Sequence, residues 1–367
     1  MSRTEIAVVV GTRPEAVKLA PVVLALQSAA WCRVRVVATA QHRQILDQIL
    51  AYFGIRADVD LDLMRPDQSL ADLSGRMIGQ LDAALAALAP DVVLAQGDTT
   101  TVLVSALCCF YRDIAFGHVE AGLRTQLKRS PFPEEMNRRL VARLADLHFA
   151  PTAFAADNLR REAIDDAAIV TTGNTVIDAL LWTADRVDAA KYLPGDGRRL
   201  LLVTAHRRES FGAPFEGICR ALRSLADRGD VELLYPVHPN PNVRGVVEST
   251  LAGHPAIRLV EPLDYPDFVA AMKASHLILT DSGGVQEEGP SLGKPVLVMR
   301  DDTERPEGID GGTSLLVGTD PRMIVSEASR LLDDPRSHAA MAQRRNPFGD
   351  GHASTRIVAA LCERFAR

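Results

Sequence analysis

Short apolar runs, each closing on a polar turn that opens a helix, recur along the whole of this 367-residue chain. Runs of this kind suit strands buried on both faces of a parallel sheet, whose return connections are helices. A first series comprises Ile6–Val10, Val34–Thr39, Val92–Ala95, Ile114–Gly117, Leu147–Ala150 and Ile169–Thr171. Between them Ala16, Leu19, Ala20 and Val23, and later Leu70, Leu73, Met77, Leu81, Ala84 and Leu88, fall at helical spacing. After Pro194-Gly195-Asp196-Gly197 a second series begins: Leu200–Thr204, Val231–Val237, Ile257–Val260, Leu277–Leu279, Val296–Met299 and Leu315–Val317. The pattern predicts an α/β chain with two Rossmann-like parallel-sheet domains, residues 1–172 and 173–352. The turn-rich break Asn346–Gly351 lets a last helix, within residues 353–367, cross back to the first domain. Parallel sheets bind ligands beyond the carboxyl ends of their strands, so the site is expected in a cleft where the two sheets face each other.

Composition narrows the function by exclusion. Lys and Arg number 41 against 47 Asp and Glu, a net charge of −6 with no basic run, so neither nucleic acid nor an anionic membrane is an expected partner. The five cysteines are scattered and form no Cys-x-x-Cys pair, which predicts a reducing, cytoplasmic setting without disulfides or a zinc site. Nothing approaches the apolar length of a membrane span, and Met1-Ser-Arg-Thr-Glu runs into a strand without a signal-peptide pattern. No Gly-x-Gly-x-x-Gly follows a strand, and Gly293-Lys294 is followed by Pro295, so neither a bound nicotinamide nor a P-loop is expected. No cofactor and no metal is therefore anticipated.

The polar clusters lie at predicted strand ends. After Leu277–Leu279 come Asp281 and Ser282, both N-cap residues, then Gly283 and Gly284, whose backbone N–H groups can approach a phosphate. Glu287 and Glu288, one turn on, are placed to reach ribose hydroxyls. An ordinary capped turn would look the same in isolation. Arg13 and Lys18 follow the first strand, and His206, Arg207 and Arg208 open the second series; each set suits a diphosphate or a solvated ion-pair patch. His238 sits in a rigid Pro-bounded loop, and Arg305 follows a later strand end. Asp98, Glu120 and Glu134 occupy three loops of the first domain. Carboxylates brought together raise one another's pKa, which suits general acid/base work.

Eight ordered motifs then resemble one family. Gly11-Thr-Arg-Pro-Glu-Ala-Val-Lys18, Gly97-Asp-Thr-Thr-Thr101, His118-Val-Glu-Ala-Gly-Leu-Arg-Thr125 and Ser130-Pro-Phe-Pro-Glu-Glu-Met-Asn-Arg138 lie in the first half. Gly173-Asn-Thr-Val-Ile-Asp178, Ala205-His-Arg-Arg-Glu-Ser210, Asp281-Ser-Gly-Gly-Val-Gln-Glu-Glu288 and Glu304-Arg-Pro-Glu307 follow. Together they are similar to the non-hydrolysing UDP-N-acetylglucosamine 2-epimerases. The resemblance implies a GT-B fold, a UDP-sugar substrate and usually a cytoplasmic homodimer serving surface polysaccharide synthesis. It assigns catalysis to Asp98, Glu120, Glu134 and His206. Substrate binding falls to Arg13, Lys18, Arg207, His238, Ser282, Gly283, Gly284, Glu288 and Arg305, with Leu263 and Phe268 beside the uracil. Some members are activated at a second substrate site; the matching positions are Gln41, Gln44, Gln68, Arg207 and His238, but Asp67 stands where regulated members carry Arg.

Chemistry favours elimination. The sugar C2 proton has no adjacent carbonyl to acidify it, so a carboxylate removing it while UDP departs from C1 avoids both a carbanion and an oxidant. Return of a proton to the opposite face, followed by UDP, completes the inversion. Competing readings are a hydrolysing epimerase of the same fold, a GT-B glycosyltransferase and a silent nucleotide-sugar sensor.

Overall fold

The computed structural model describes residues 3–39, 43–65 and 67–366, apart from the side chains of 43–45. It divides into unit 1, Met1–Ala179 with Gly349–Arg367, and unit 2, Leu180–Phe348.

In unit 1 the strands are β1 (Thr4–Val10), β2 (Cys32–Ala38), β3 (Val59–Asp60), β4 (Val92–Gln96), β5 (Ala115–Val119), β6 (Leu147–Ala150) and β7 (Ile169–Thr171). All pair in parallel, in the order β3-β2-β1-β4-β5-β6-β7. The helices are α1 (Arg13–Gln27), α2 (Arg43–Tyr52), α3 (Leu70–Leu88), α4 (Thr100–Tyr111), α5 (Glu134–Leu144), α6 (Ala153–Arg161) and the start of α7 (Thr175–Ala184). Central β4 is buried at every residue, as its unbroken apolar run requires. Met77, Leu81 and Leu85 of α3 and Val102 and Ala106 of α4 join Val9, Val93 and Phe116 in one core. A two-residue edge strand such as β3 is too short to show periodicity, which is why seven strands stand where the sequence pattern suggests six.

Unit 2 has β8 (Arg199–Thr204), β9 (Val231–Pro236), β10 (Ile257–Val260), β11 (Leu277–Thr280), β12 (Val296–Val298) and β13 (Ser314–Leu316). They too are parallel, in the order β10-β9-β8-β11-β12-β13. Helices α8 (Ala213–Ala226), α9 (Pro241–Leu251), α10 (Tyr265–Ala274), α11 (Gly283–Glu288), α12 (Pro306–Asp310), α13 (Pro321–Asp333) and α14 (Pro335–Ala342) connect them. Phe215, Ile218 and Leu222 of α8 and Ile324 and Leu331 of α13 pack on Leu201, Leu233 and Leu297.

The division falls inside α7, seven residues beyond the expected 172/173 boundary. This helix ends at Ala184 rather than near Val187. The last helix, α15 (Ala353–Phe365), belongs to unit 1 and packs on α1. Buried Asp178 accepts from the Ala353 and Ser354 amides at 3.1 and 2.8 Å, satisfying donors that the start of a helix leaves open. Thr4 Oγ1 donates to the Phe365 carbonyl at the far end. No described helix is long and apolar enough to cross a membrane.

Candidate functional site

Strand order reverses direction between β1 and β4 in unit 1, and between β8 and β11 in unit 2. Such switch points leave a crevice at the carboxyl ends of the strands. The polar motifs gather at these two places.

In unit 1, Thr12 caps α1 and Glu15 closes a capping box with it, so Arg13 and Lys18 leave the first turns of a fixed helix. The β4 end carries Asp98, and the β5 end carries Glu120 in the left-handed region at φ 63°. Non-glycine residues seldom hold that backbone conformation except where the surroundings impose it. Here they do: Lys18 Nζ pairs with Glu120 Oε1 at 2.5 Å, Asn174 Nδ2 donates to the same oxygen at 2.9 Å, and Gln96 Nε2 donates to Oε2. Two residues earlier, buried His118 donates from Nε2 to the Gly97 carbonyl at 2.6 Å. Burial holds that imidazole neutral, with its pKa pushed down to about 3.

Asp98 is raised above the ordinary carboxylate range, first by burial and then by Glu120 and Glu134, against the opposing pull of Arg138 and Lys18. The three acids thus share one electrostatic neighbourhood. Arg138 Nε lies 3.8 Å from Asp98 Oδ2 and 3.1 Å from fully buried Glu135, while Asn137 Nδ2 donates to the Asp98 carbonyl at 2.8 Å. Glu134 opens α5, so its carboxylate stands at a helix N-terminus.

In unit 2, Asp281 does not cap α11. It is fully buried and accepts from the His206 and Arg207 amides at 2.6 and 2.7 Å, bracing the loop after β8 from the end of β11. Ser282 alone holds the N-cap position, and its amide donates to Thr280 Oγ1 at 2.9 Å. A methyl group placed on Gly283 would meet Arg207 Nη2 and the Arg305 guanidinium carbon, each at 3.8 Å. Two guanidinium groups therefore converge over the first turn of α11. Arg305 is oriented by Glu287, so Glu287 braces a cation; Glu288 is buried beside it. The His206 and His238 rings stack at 5.1 Å, and burial lowers the His206 pKa against the opposing effect of Asp281. Leu263 lies in the β10–α10 loop and Phe268 in the first turn of α10, both half-buried.

Gln68 lies in unit 1, where Arg76 donates to its side-chain oxygen. Gln41 and the side chain of Gln44 lie outside the described residues. Gln96 gives no sequence signal beyond its place at a strand end, and Asn174 stands in the Gly173–Asp178 motif without a role assigned to it. Glu135 and Arg138 stand in a motif whose visible feature is Glu134, yet they are the buried members.

Fold and clusters together define an α/β protein of the GT-B class, with carboxylates at one sheet's switch point and arginines at the other's. The chain belongs to the UDP-N-acetylglucosamine 2-epimerase family, whose model matches residues 24–362. The Escherichia coli K12 protein named UDP-N-acetylglucosamine 2-epimerase is 50% identical over 364 residues, covering 96% of this chain and 97% of that one. A solved structure of a Listeria monocytogenes protein described as a UDP-N-acetylglucosamine 2-epimerase superposes with a TM-score of 0.93 at 47% identity, covering 99% and 97% of the two chains. The Neisseria meningitidis UDP-GlcNAc 2-epimerase, solved bound to UDP-GlcNAc, gives 0.90 at 43% identity over 98% of this chain and 100% of that one.

Proposed function

We propose that this chain interconverts UDP-N-acetylglucosamine and UDP-N-acetylmannosamine without hydrolysis, as a supplier of surface polysaccharide precursors. The observation that carries the reading is the cluster of Asp98, Glu120 and Glu134, in which burial and mutual repulsion raise Asp98 toward the basicity that proton abstraction needs. One carboxylate takes the C2 proton, the C1–C2 double bond forms as the C1–O bond to UDP breaks, and 2-acetamidoglucal and UDP stay side by side in the site. A second acid returns a proton to C2 on the opposite face, and UDP adds back at C1.

Arg207 and Arg305 over Gly283 support a role in holding the diphosphate, where charge develops as UDP departs. His206, whose pKa burial lowers, suits a hydrogen bond to that diphosphate. Glu288 is assigned to the ribose, Leu263 and Phe268 to the uracil, and Arg13 and His238 to further contacts with the sugar nucleotide. Lys18, tied to Glu120, is assigned to orienting that acid and the sugar. We assign Gln41, Gln44 and Gln68 to an activating second substrate site.

Proton NMR of UDP-N-acetylglucosamine with the protein in D2O tests the reading. The expected result is a second anomeric signal with deuterium at C2 and UDP still attached. Release of free N-acetylmannosamine would turn it into hydrolysis, and unchanged substrate that still binds would leave a sensor.

The family resemblance extends to a cytoplasmic homodimer. In support, the packed pair α4 and α5 exposes Phe110, Tyr111 and Leu140, with Phe110 at 65% and Tyr111 at 67%. Sedimentation equilibrium is expected to give twice the 39.8 kDa chain mass, with Phe110→Glu/Tyr111→Glu reverting it to one.

A further inference from the structure

Glu15 is an acid of the unit 1 switch point that the proposed chemistry does not use, and its placement is unusual. It is 2% exposed, although it stands in the first turn of α1. Its two oxygens face two different elements. Oε2 accepts from the Gly11 and Thr12 amides at 2.5 and 2.9 Å, which is the turn that launches Arg13 and Lys18. Oε1 accepts from Thr99 Oγ1 at 2.5 Å, and Thr99 directly follows Asp98 on the loop after β4. A capping box needs only the first of these contacts. The second joins the turn after β1 to the turn after β4 across the reversal in strand order.

We propose that Glu15 is a positioning residue of the epimerase site, a carboxylate strut that sets Asp98 against Lys18 and Glu120 by tying the β1–α1 turn to the β4–α4 loop. The inference rests on the catalytic reading of Asp98 given above. Geometry explains the choice of residue. A shorter Asp at this place would leave one of the two turns without its acceptor, and an apolar residue would strand the Gly11 and Thr12 donors at a buried helix start. Errors of about 1 Å in the placement of a reacting group are enough to cost about a hundredfold in rate.

The strut also carries a pH dependence. Burial pushes the Glu15 pKa up to about 7, against the hydrogen bonds from Thr99, Gly11 and Thr12. The charged groups of the cluster are Arg13 and Lys18 on its own helix, Asp98 across from it, which raises the pKa further, and Glu120 beyond, paired to Lys18. The ionised form makes all three acceptor contacts. As pH falls through about 7 the carboxyl gains a proton, its bonds to the amides and to Thr99 lose their charge assistance, and the strut loosens; kcat/KM falls on the acid side.

The test compares wild type, Glu15→Gln and Glu15→Ala between pH 5.5 and 9, at saturating and limiting UDP-N-acetylglucosamine, together with amide NMR of the same proteins. Glu15→Ala is expected to lower kcat about tenfold or more while KM moves less than about threefold, the split that misplacement of a reacting group produces. A Gln fits the same space, presenting its oxygen to the two amides and its NH2 to Thr99. It mimics the protonated acid and cannot titrate, so wild type loses about tenfold in kcat/KM from pH 8 to pH 6, while Glu15→Gln changes by less than about threefold and stays near the wild type's pH 6 level. Without substrate, the Gly11, Thr12 and Thr99 amide resonances of the wild type shift with a common midpoint near pH 7, and those of Glu15→Gln do not. An active wild type whose Glu15→Ala variant keeps kcat within about twofold, or amides without a shared midpoint, overturns the strut. A wild type that shows the shared midpoint but no epimerisation overturns the catalytic reading instead.

Discussion

Asp98→Asn is expected to lower kcat for epimerisation by about three orders of magnitude, within the 10²–10⁴ range that a positioned acid/base group contributes. The amide keeps the shape of the carboxyl, and the contacts that hold this loop survive: Asn137 reaches the Asp98 backbone carbonyl, and Thr99 reaches Glu15. Arg138 retains buried Glu135 as a partner. What disappears is the proton acceptor. Affinity for UDP, measured by calorimetry, is expected to be unchanged, because Asp98 is assigned to the C2 proton and the groups assigned to the diphosphate, ribose and uracil belong to unit 2. Loss of UDP binding together with turnover would mean instead that the substitution disturbs the fold. The wild-type profile carries the corresponding sign: a base with a raised pKa is lost as pH falls through that raised value, so activity is retained on the alkaline side.

The largest effect on stability is expected at Gly122, which follows the turn that carries Glu120. Its φ of 92° lies where side chains are strained, and a Cβ there would meet the Ala155 carbonyl oxygen at 2.2 Å and its carbon at 2.8 Å. Those are backbone atoms of α6, and Asn158 of the same helix donates to the Gly122 carbonyl at 3.0 Å, so the helix cannot simply lean away. Gly122→Ala therefore incurs both a backbone cost and an overpacking cost, each about 1–3 kcal/mol. A combined loss of about 4 kcal/mol corresponds to a fall in Tm of about 8–16 °C for a unit of this size. Gly79→Ala is the internal contrast: it sits exposed in the middle of α3 with nothing within 4 Å of the added methyl. Helix propensity alone predicts a gain of up to about 1 kcal/mol there. Calorimetric scans of the two variants that coincide would contradict the packing described for the β5–α6 region.

Much of this fold is legible without coordinates because its strands are buried on both faces and so appear as unbroken apolar runs. Val92–Ala95 and Leu277–Leu279 are recovered within a residue for that reason. The short edge strand Val59–Asp60 carries no such signal. At the sites, residue types at strand ends mark where the chemistry gathers, but they do not show who faces whom. Asp281 reads as a helix cap from its neighbours Ser282 and Gly283; only the register of β11 against β8 reveals that it sits below the His206 and Arg207 amides. Glu15 likewise reads as a capping-box acid, since Thr99 is 84 residues away and no local pattern connects them. Gln96 and Asn174 bind Glu120 from two different elements, a convergence that exists only after folding.

The return of α15 to unit 1 has a consequence for how the protein is made. Thr4 and Phe365, hydrogen-bonded in the finished fold, are 361 residues apart. At about 5–20 residues per second the last helix emerges about 20–70 s after the first strand. Throughout that interval α1 lacks the cover that Ile357 and Leu361 later give it, and Asp178 waits for the amides it will cap. Unit 2 is continuous in sequence and takes no element from beyond Phe348. Its sheet and the arginines assigned above to the diphosphate are synthesised before α15, so the acid-bearing unit is the last of the two to be sealed.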